Sequence, residues 1–120
     1  MTFLLGALLI KSKADSVVSV TRTYDKHPIR IKKIINSEIK DFNDTLKEGE
    51  SSRRQDLEPA YVRNGAIYAM KRDLIVKNFS RKGKKSLAHV MDPINSVNID
   101  EITDFYLADT LIKKNFCKNF

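Results

Sequence analysis

The stretch that most constrains this chain runs from Arg53 to Met70. It opens on paired arginines, passes a turn-forming Pro59, and reaches Asn64-Gly65 immediately before the apolar run Ala66-Ile67-Tyr68-Ala69-Met70. Asn-Gly ahead of an apolar run points to a tight backbone feature at the start of a strand. The stretch therefore predicts a strand from Gly65 to Met70 with cationic side chains at its mouth. A mouth of that kind suits an anionic, hydroxyl-rich small molecule. Read as a bare dipeptide, Asn64-Gly65 is equally a common hairpin turn. Arg53 and Arg54 suit forked hydrogen bonds to a carboxylate or phosphate. Beside Glu50 and Asp56 they also read as a solvated pair, and exposed pairs are weak.

Other elements follow from periodicity. Phe3 to Ser12 predicts a helix with little polar surface, one that expects cover on most sides. It is too short to cross a bilayer, and no positive charge precedes it as in a leader peptide. Val17 to Thr21 is β-branched and predicts a short buried strand. Tyr24 to Pro28 is a loop. Ile29 to Ile35 begins in strict alternation and predicts a half-exposed strand. Asn36 to Ser52 is polar and predicts a long excursion, mostly loop. Arg72 to Lys77 predicts a short helix, Asn78 to Ser86 a basic loop, and Leu87 to Met91 a strand stopped by Asp92-Pro93. The last helix carries Ile102, Phe105, Tyr106, Ala108, Leu111 and Ile112 at helical spacing. Asn98 is its expected cap, with Glu101 completing a capping box.

Helices alternating with about four short strands argue for an α/β layer structure with a thin sheet. With 120 residues, a single domain over 1–120 is the expectation. The net charge of +7 favours anionic partners. A lone cysteine, Cys117, forms no internal disulfide and points to a reducing, cytoplasmic setting.

Asp100 is the best metal-ligand candidate, since hard carboxylate oxygens suit Mg²⁺ completed by water and substrate phosphate. An acid at a helix start is also ordinary without any metal. Asp104, one turn on, is expected to face solvent or cap a neighbour. His27 and His89 lie far apart with no cysteine cluster, which argues against zinc, and His89 reads as a satisfied core histidine. Only four glycines occur, Gly6, Gly49, Gly65 and Gly83, all isolated, so no glycine-rich loop can cradle a triphosphate.

From Ala14 onward the chain resembles the acylneuraminate cytidylyltransferases, which make CMP-sialic acid and related CMP-sugars. The resemblance rests on Ala14-Asp15-Ser16-Val17-Val18-Ser19-Val20, His27-Pro28, Arg54-Gln55-Asp56-Leu57, Tyr61 to Tyr68 around Asn64-Gly65, and Ser96-Val97-Asn98-Ile99-Asp100 running into a helix. It implies a partial Rossmann-like nucleotide-sugar transferase fold, a thin mixed sheet flanked by helices, that matches the C-terminal half of the family. The family's basic, glycine-containing CTP loop has no counterpart in these residues. It further implies that Arg54 contacts the sugar acid or phosphate as the catalytic cation. Asn64 and Gly65 fall in the sugar-acid pocket, and Arg63 lies one residue from the family's carboxylate-binding arginine. Asp100 matches the second aspartate of a metal pair, with Asn98 in place of the first, so Mg²⁺ is the implied cofactor. Residues 28–53 correspond to a dimerisation excursion, and a homodimer is implied.

Three readings follow. One is a C-terminal portion of a CTP-dependent transferase for nine-carbon 2-keto sugar acids, inactive alone. The second is a non-catalytic binding or dimerisation remnant of the same fold. The third, from composition alone, is a nucleic-acid binder using the basic loop Lys77 to Lys85. The solvated loop accounts for those residues equally well, and neither nucleic acid nor a membrane is the expected partner.

Overall fold

The computed structural model describes residues 2–45, 56–81 and 83–114. Arg53, Arg54, Lys82 and Cys117 lie outside them. The chain divides into two compact units, one made of Met1–Thr21 with Arg63–Phe120 and the other of Arg22–Val62. Its architecture is mixed α/β.

The first unit is built around β1 (Ser16–Thr23), which lies between β4 (Ala60–Met70) and β5 (Ser86–Met91). β1 and β5 run parallel, in a register from Ser16 beside Ser86 to Thr21 beside Met91. A central strand needs β-branched residues that pack on a pleated surface, and Val17, Val18 and Val20 supply them. Val17 is fully buried, as are Ser16 and Ser19 to within 1%. The serines are tolerated because both hydroxyls are bonded. Ser16 Oγ and Ser86 Oγ lie 2.7 Å apart across the parallel pair, and Ser19 is tied to β4 as described below.

α1 (Thr2–Lys11) forms as expected, with Leu5 buried. Its expected cover is not found among the described residues, since Leu8 and Ile10 are exposed. α2 (Arg72–Asn78) buries Leu74 and stops at Phe79, which adopts a left-handed φ of 47° while its N–H bonds Ile75 O. The start of the β1–β5 ladder is fixed by Asp15. Asp15 N donates to Lys85 O at 2.8 Å, and Lys85 N donates back to Asp15 Oδ2 at 3.0 Å.

α3 (Ile102–Lys113) starts three residues later than the Asn98 cap predicts. Asn98 turns its side chain to Asp100 instead. The start is closed from within the helix: the Asp104 carboxylate accepts from Glu101 N at 3.0 Å and Asp100 N at 3.1 Å. The apolar stripe forms but no α3 residue is buried, and Ile102, Phe105, Tyr106 and Ile112 are all exposed.

The second unit corrects two expectations. The strand predicted over 29–35 begins as a 3-10 turn, Pro28–Arg30. Pro28 fixes its own φ and starts the turn, and His27 Nδ1 accepts from Ile29 N at 3.3 Å. The extended strand β2 is only Lys32–Ile35. The expected loop beyond it contains β3 (Glu38–Asp41), antiparallel to β2. Asn36 and Ser37 both take positive φ, 52° and 65°, the conformation of a two-residue hairpin turn whose twist matches the strands. Lys32 pairs with Asp41 at the open end. Residues 46–52 of the predicted excursion fall outside the described residues.

Candidate functional site

The site begins with a change of backbone conformation inside β4, which runs unbroken from Ala60 to Met70. At Gly65 the strand takes a φ of +73°, a left-handed conformation that glycine adopts freely and that marks a bulge in a strand. A Cβ at Gly65 would meet only Asn98 Oδ1, at an ordinary 3.8 Å. Backbone conformation, rather than lack of space, therefore selects glycine. Gly65→Ala is expected to cost roughly 1–2 kcal/mol from the left-handed penalty. Gly65→Asn, a residue more tolerant of that region, should cost less, and urea unfolding of the two variants compares them.

Beside the bulge, Asn64 is 7% exposed. Its Oδ1 accepts from Ser19 Oγ at 2.6 Å and Ala66 N at 3.3 Å. Its Nδ2 donates to Ser96 Oγ at 3.0 Å and Met91 Sδ at 3.3 Å. Ser19 Oγ in turn accepts from Ile67 N at 2.8 Å. One amide thus ties β4, β1, the end of β5 and the segment leading to α3. All its polar atoms are engaged inside the chain, so in this arrangement a sugar hydroxyl would have to displace one of these bonds.

The segment from Ser96 to Asp100 is brought against the bulge by that tie. Asn98 Nδ2 donates to Asp100 Oδ2 at 2.6 Å, and both side chains are exposed. Asn64, Gly65, Asn98 and Asp100, from blocks more than thirty residues apart, therefore meet at one place in the first unit. Asp104 is taken up at the start of α3 and offers its carboxylate to backbone rather than to this pair.

Among the described residues no group of three or more His, Cys, Asp or Glu side chains is placed to hold a metal. The Asp100 carboxylate offers one charged oxygen, while Asn98 turns its Nδ2 rather than its Oδ1 toward it, so the amide has to turn over before it adds a neutral oxygen. A single carboxylate is within what Mg²⁺ takes, one or two, with water and substrate phosphate filling the shell. Asn98→Asp would add a second carboxylate and is expected to tighten Mn²⁺ binding about tenfold, equivalent to about 1.4 kcal/mol. Paramagnetic line broadening on this chain measures it, and unchanged binding would remove Asn98 from the donor set.

Other sequence candidates sit elsewhere. Arg63 is exposed and lines a cavity on the sheet of the first unit. Arg54, the expected catalytic cation, lies outside the described residues. In the second unit, His27 Nδ1 accepts a backbone N–H, so its Nε2, 3.0 Å from Glu58 O, carries the proton. His89 is half-buried and its ring makes no hydrogen bond among the described residues, so the expectation of a satisfied core histidine does not hold. Sequence reading missed Ser19 and Ser96 as partners of Asn64. Two serines in apolar or loop surroundings give no local signal of a shared partner.

Comparison bears out the resemblance to the sialic-acid-type cytidylyltransferases. The chain is 38% identical over 66 residues to the CMP-N,N'-diacetyllegionaminic acid synthase of Campylobacter jejuni subsp. jejuni serotype O:2, covering 55% of this chain and 28% of that protein. It is 34% identical over 68 residues to the post-translational flagellin modification protein B of Campylobacter coli, covering 57% of this chain and 29% of that protein. The matches thus span less than a third of the length of either relative. No family model matches the chain. No helix among the described residues is long and apolar enough to cross a membrane.

Proposed function

We propose that this chain is the C-terminal portion of a nucleotidyltransferase that activates a nine-carbon 2-keto sugar acid with CTP. The product is a CMP-sugar, and pyrophosphate is released. The observation that carries the reading is the meeting of Asn64-Gly65 with Asn98-Asp100 at one place in the first unit. The named activity of the legionaminic acid synthase relative supports the substrate class.

In this reading the anomeric hydroxyl oxygen attacks the α-phosphorus of CTP. The bond from that phosphorus to the pyrophosphate oxygen breaks, and the hydroxyl proton is lost. Bound Mg²⁺ supplies charge neutralisation on the triphosphate. Asp100 and Asn98 would hold it, Arg54 grips an anionic group, and Arg63 serves the sugar-acid carboxylate. Gly65 lets the backbone come close to the sugar, and Asn64 fixes the bulge that places it. Positioning and electrostatics do most of the catalytic work. The complete fold is Rossmann-like, its setting cytoplasmic, and residues 28–53 join two copies.

A second reading, a non-catalytic binding or dimerisation remnant, is favoured by one observation: every polar atom of the Asn64 amide is engaged internally. A pyrophosphate-release assay separates the two. The chain alone is expected to give no CTP-dependent release. Supplied with the remaining portion of the legionaminic acid synthase, it should turn over, and Arg54→Ala or Asp100→Asn should then lower the rate at least about a hundredfold. No turnover in the supplemented assembly supports the remnant. Turnover unaffected by both substitutions overturns the site.

A further inference from the structure

α2 buries one side chain, Leu74, and leaves an apolar group in solvent. Ile75 and Val76 are each 50% exposed, and Phe79 is 91% exposed. Residues three and four apart are neighbours on a helix surface, so Val76 and Ile75 stand beside Phe79. The backbone fixes where Phe79 sits. Its left-handed φ of 47° ends the helix, and its N–H donates to Ile75 O. Single exposed apolar residues are ordinary, but a contiguous group rimmed by polar residues marks an interaction surface.

The rim is cationic. Residues 71–85 hold seven Lys or Arg and one acid, Asp73. The loop after α2 returns to the head of that helix. Lys71 N donates to Asp15 O at 3.0 Å, and Lys85 N donates to Asp15 Oδ2 at 3.0 Å. Lys71 and the Lys84-Lys85 pair are thereby brought to one place. The acids beside them are engaged, Asp73 by Lys77 and Asp15 by the Lys85 backbone. Lys71, Arg72 and Lys84 are exposed and have no carboxylate partner among the described residues. α3 carries a longer exposed apolar stripe, but Glu101, Asp104 and Asp109 accompany it. An anionic partner therefore fits α2 and not α3.

We propose that the exposed face of α2, with Phe79, docks on an anionic lipid surface. Phe79, Ile75 and Val76 enter the headgroup boundary, and Lys71, Arg72 and Lys84 meet the lipid phosphates. An apolar face flanked by Lys and Arg is the composition of elements that lie in the membrane interface rather than cross it. A nucleic acid would engage the cations and stack on Phe79, but it would leave Ile75 and Val76 in water. In the linear chain the basic loop reads apart from α2, which is why no membrane partner is expected there; folding joins the two. The surface shares no residue with the nucleotidyltransferase site and stands apart from that reading.

The test sediments the full 120-residue chain with vesicles of phosphatidylcholine, alone or mixed equally with phosphatidylglycerol. The mixed vesicles should bind at least about tenfold more tightly than the neutral ones, since each nearby Lys or Arg adds to the attraction. Lys71→Gln with Lys84→Gln should shrink that preference. Phe79→Asn places a residue that tolerates the left-handed region. It should lower binding to the mixed vesicles about tenfold and leave urea unfolding unchanged. The chain has no tryptophan, so Phe79→Trp reports on the contact directly. Its emission should move to shorter wavelength on the mixed vesicles. Equal binding to both vesicles, binding that Phe79→Asn leaves intact, or a loss caused by Ile102→Asn on α3 instead, overturns the proposal. Binding to duplex DNA with no wavelength shift on vesicles makes nucleic acid the partner and overturns it as well. The pyrophosphate-release assay tests the other reading independently.

Discussion

Replacing Asn64 by alanine is expected to destabilise the chain by about 2–4 kcal/mol, because buried groups left without partners each cost about 1–3 kcal/mol. The side chain is buried, and its loss removes the acceptor of Ser19 Oγ and the donor to Ser96 Oγ. Asn64→Asp separates bonding from size. It keeps the acceptor for Ser19 and Ala66 N but removes both N–H donors and places a carboxylate against Met91 Sδ. Burial disfavours the charged form and raises the folded pKa of such a group above its unfolded value. The cost relative to wild type should then be smaller at pH 4 than at pH 7, since the penalty grows as pH rises through the folded pKa. Urea unfolding at the two pH values measures it. A pH-independent gap between Asn64→Asp and wild type would mean that the site is wet and the tie unimportant.

The second large effect is expected at Gly83. A Cβ there would lie 2.2 Å from Asp15 Cβ and 2.9 Å from its carboxylate. The clash is with an atom next to the backbone, so rotating the Asp15 side chain does not relieve it. Gly83→Ala must push the loop away and weaken the pair of bonds between Asp15 and Lys85 that opens the β1–β5 ladder. Overpacking of this kind costs roughly 1–3 kcal/mol. A double-mutant cycle with Asp15→Gly checks the cause. If the clash is responsible, the double variant loses less stability than the two single losses together. Additive losses would locate the effect elsewhere.

Much of the fold was legible because local signals were strong. β1 declared itself by consecutive β-branched residues, and α2 and β5 by short apolar runs with clear stops. The hairpin of β2 and β3 was not legible. Its turn uses Asn36-Ser37 rather than Asn-Gly, and its β3 strand, Glu38 to Asp41, carries one apolar residue. Its pairing depends on a partner strand that a one-dimensional reading does not supply. The start of α3 was displaced for a similar reason. Asn98 and Glu101 satisfy the capping pattern on paper, but Asn98 is drawn to Asp100 beside the bulge, and Asp104 closes the helix instead.

At the candidate site, residue chemistry pointed to Asn64, Gly65 and Asp100, and the family resemblance added Asn98. The sequence also supplied the positive charge, the isolated glycines and the order of blocks that carries the resemblance to CMP-sugar synthases. These are properties of residue type and spacing, which survive without coordinates. Packing decided that the set meets in space, that the Asn64 amide is a tie between strands, and that Arg63 and Arg81 border an apolar sheet face without carboxylate partners among the described residues. Each depends on which distant segments the strand register places side by side, and no local pattern encodes that.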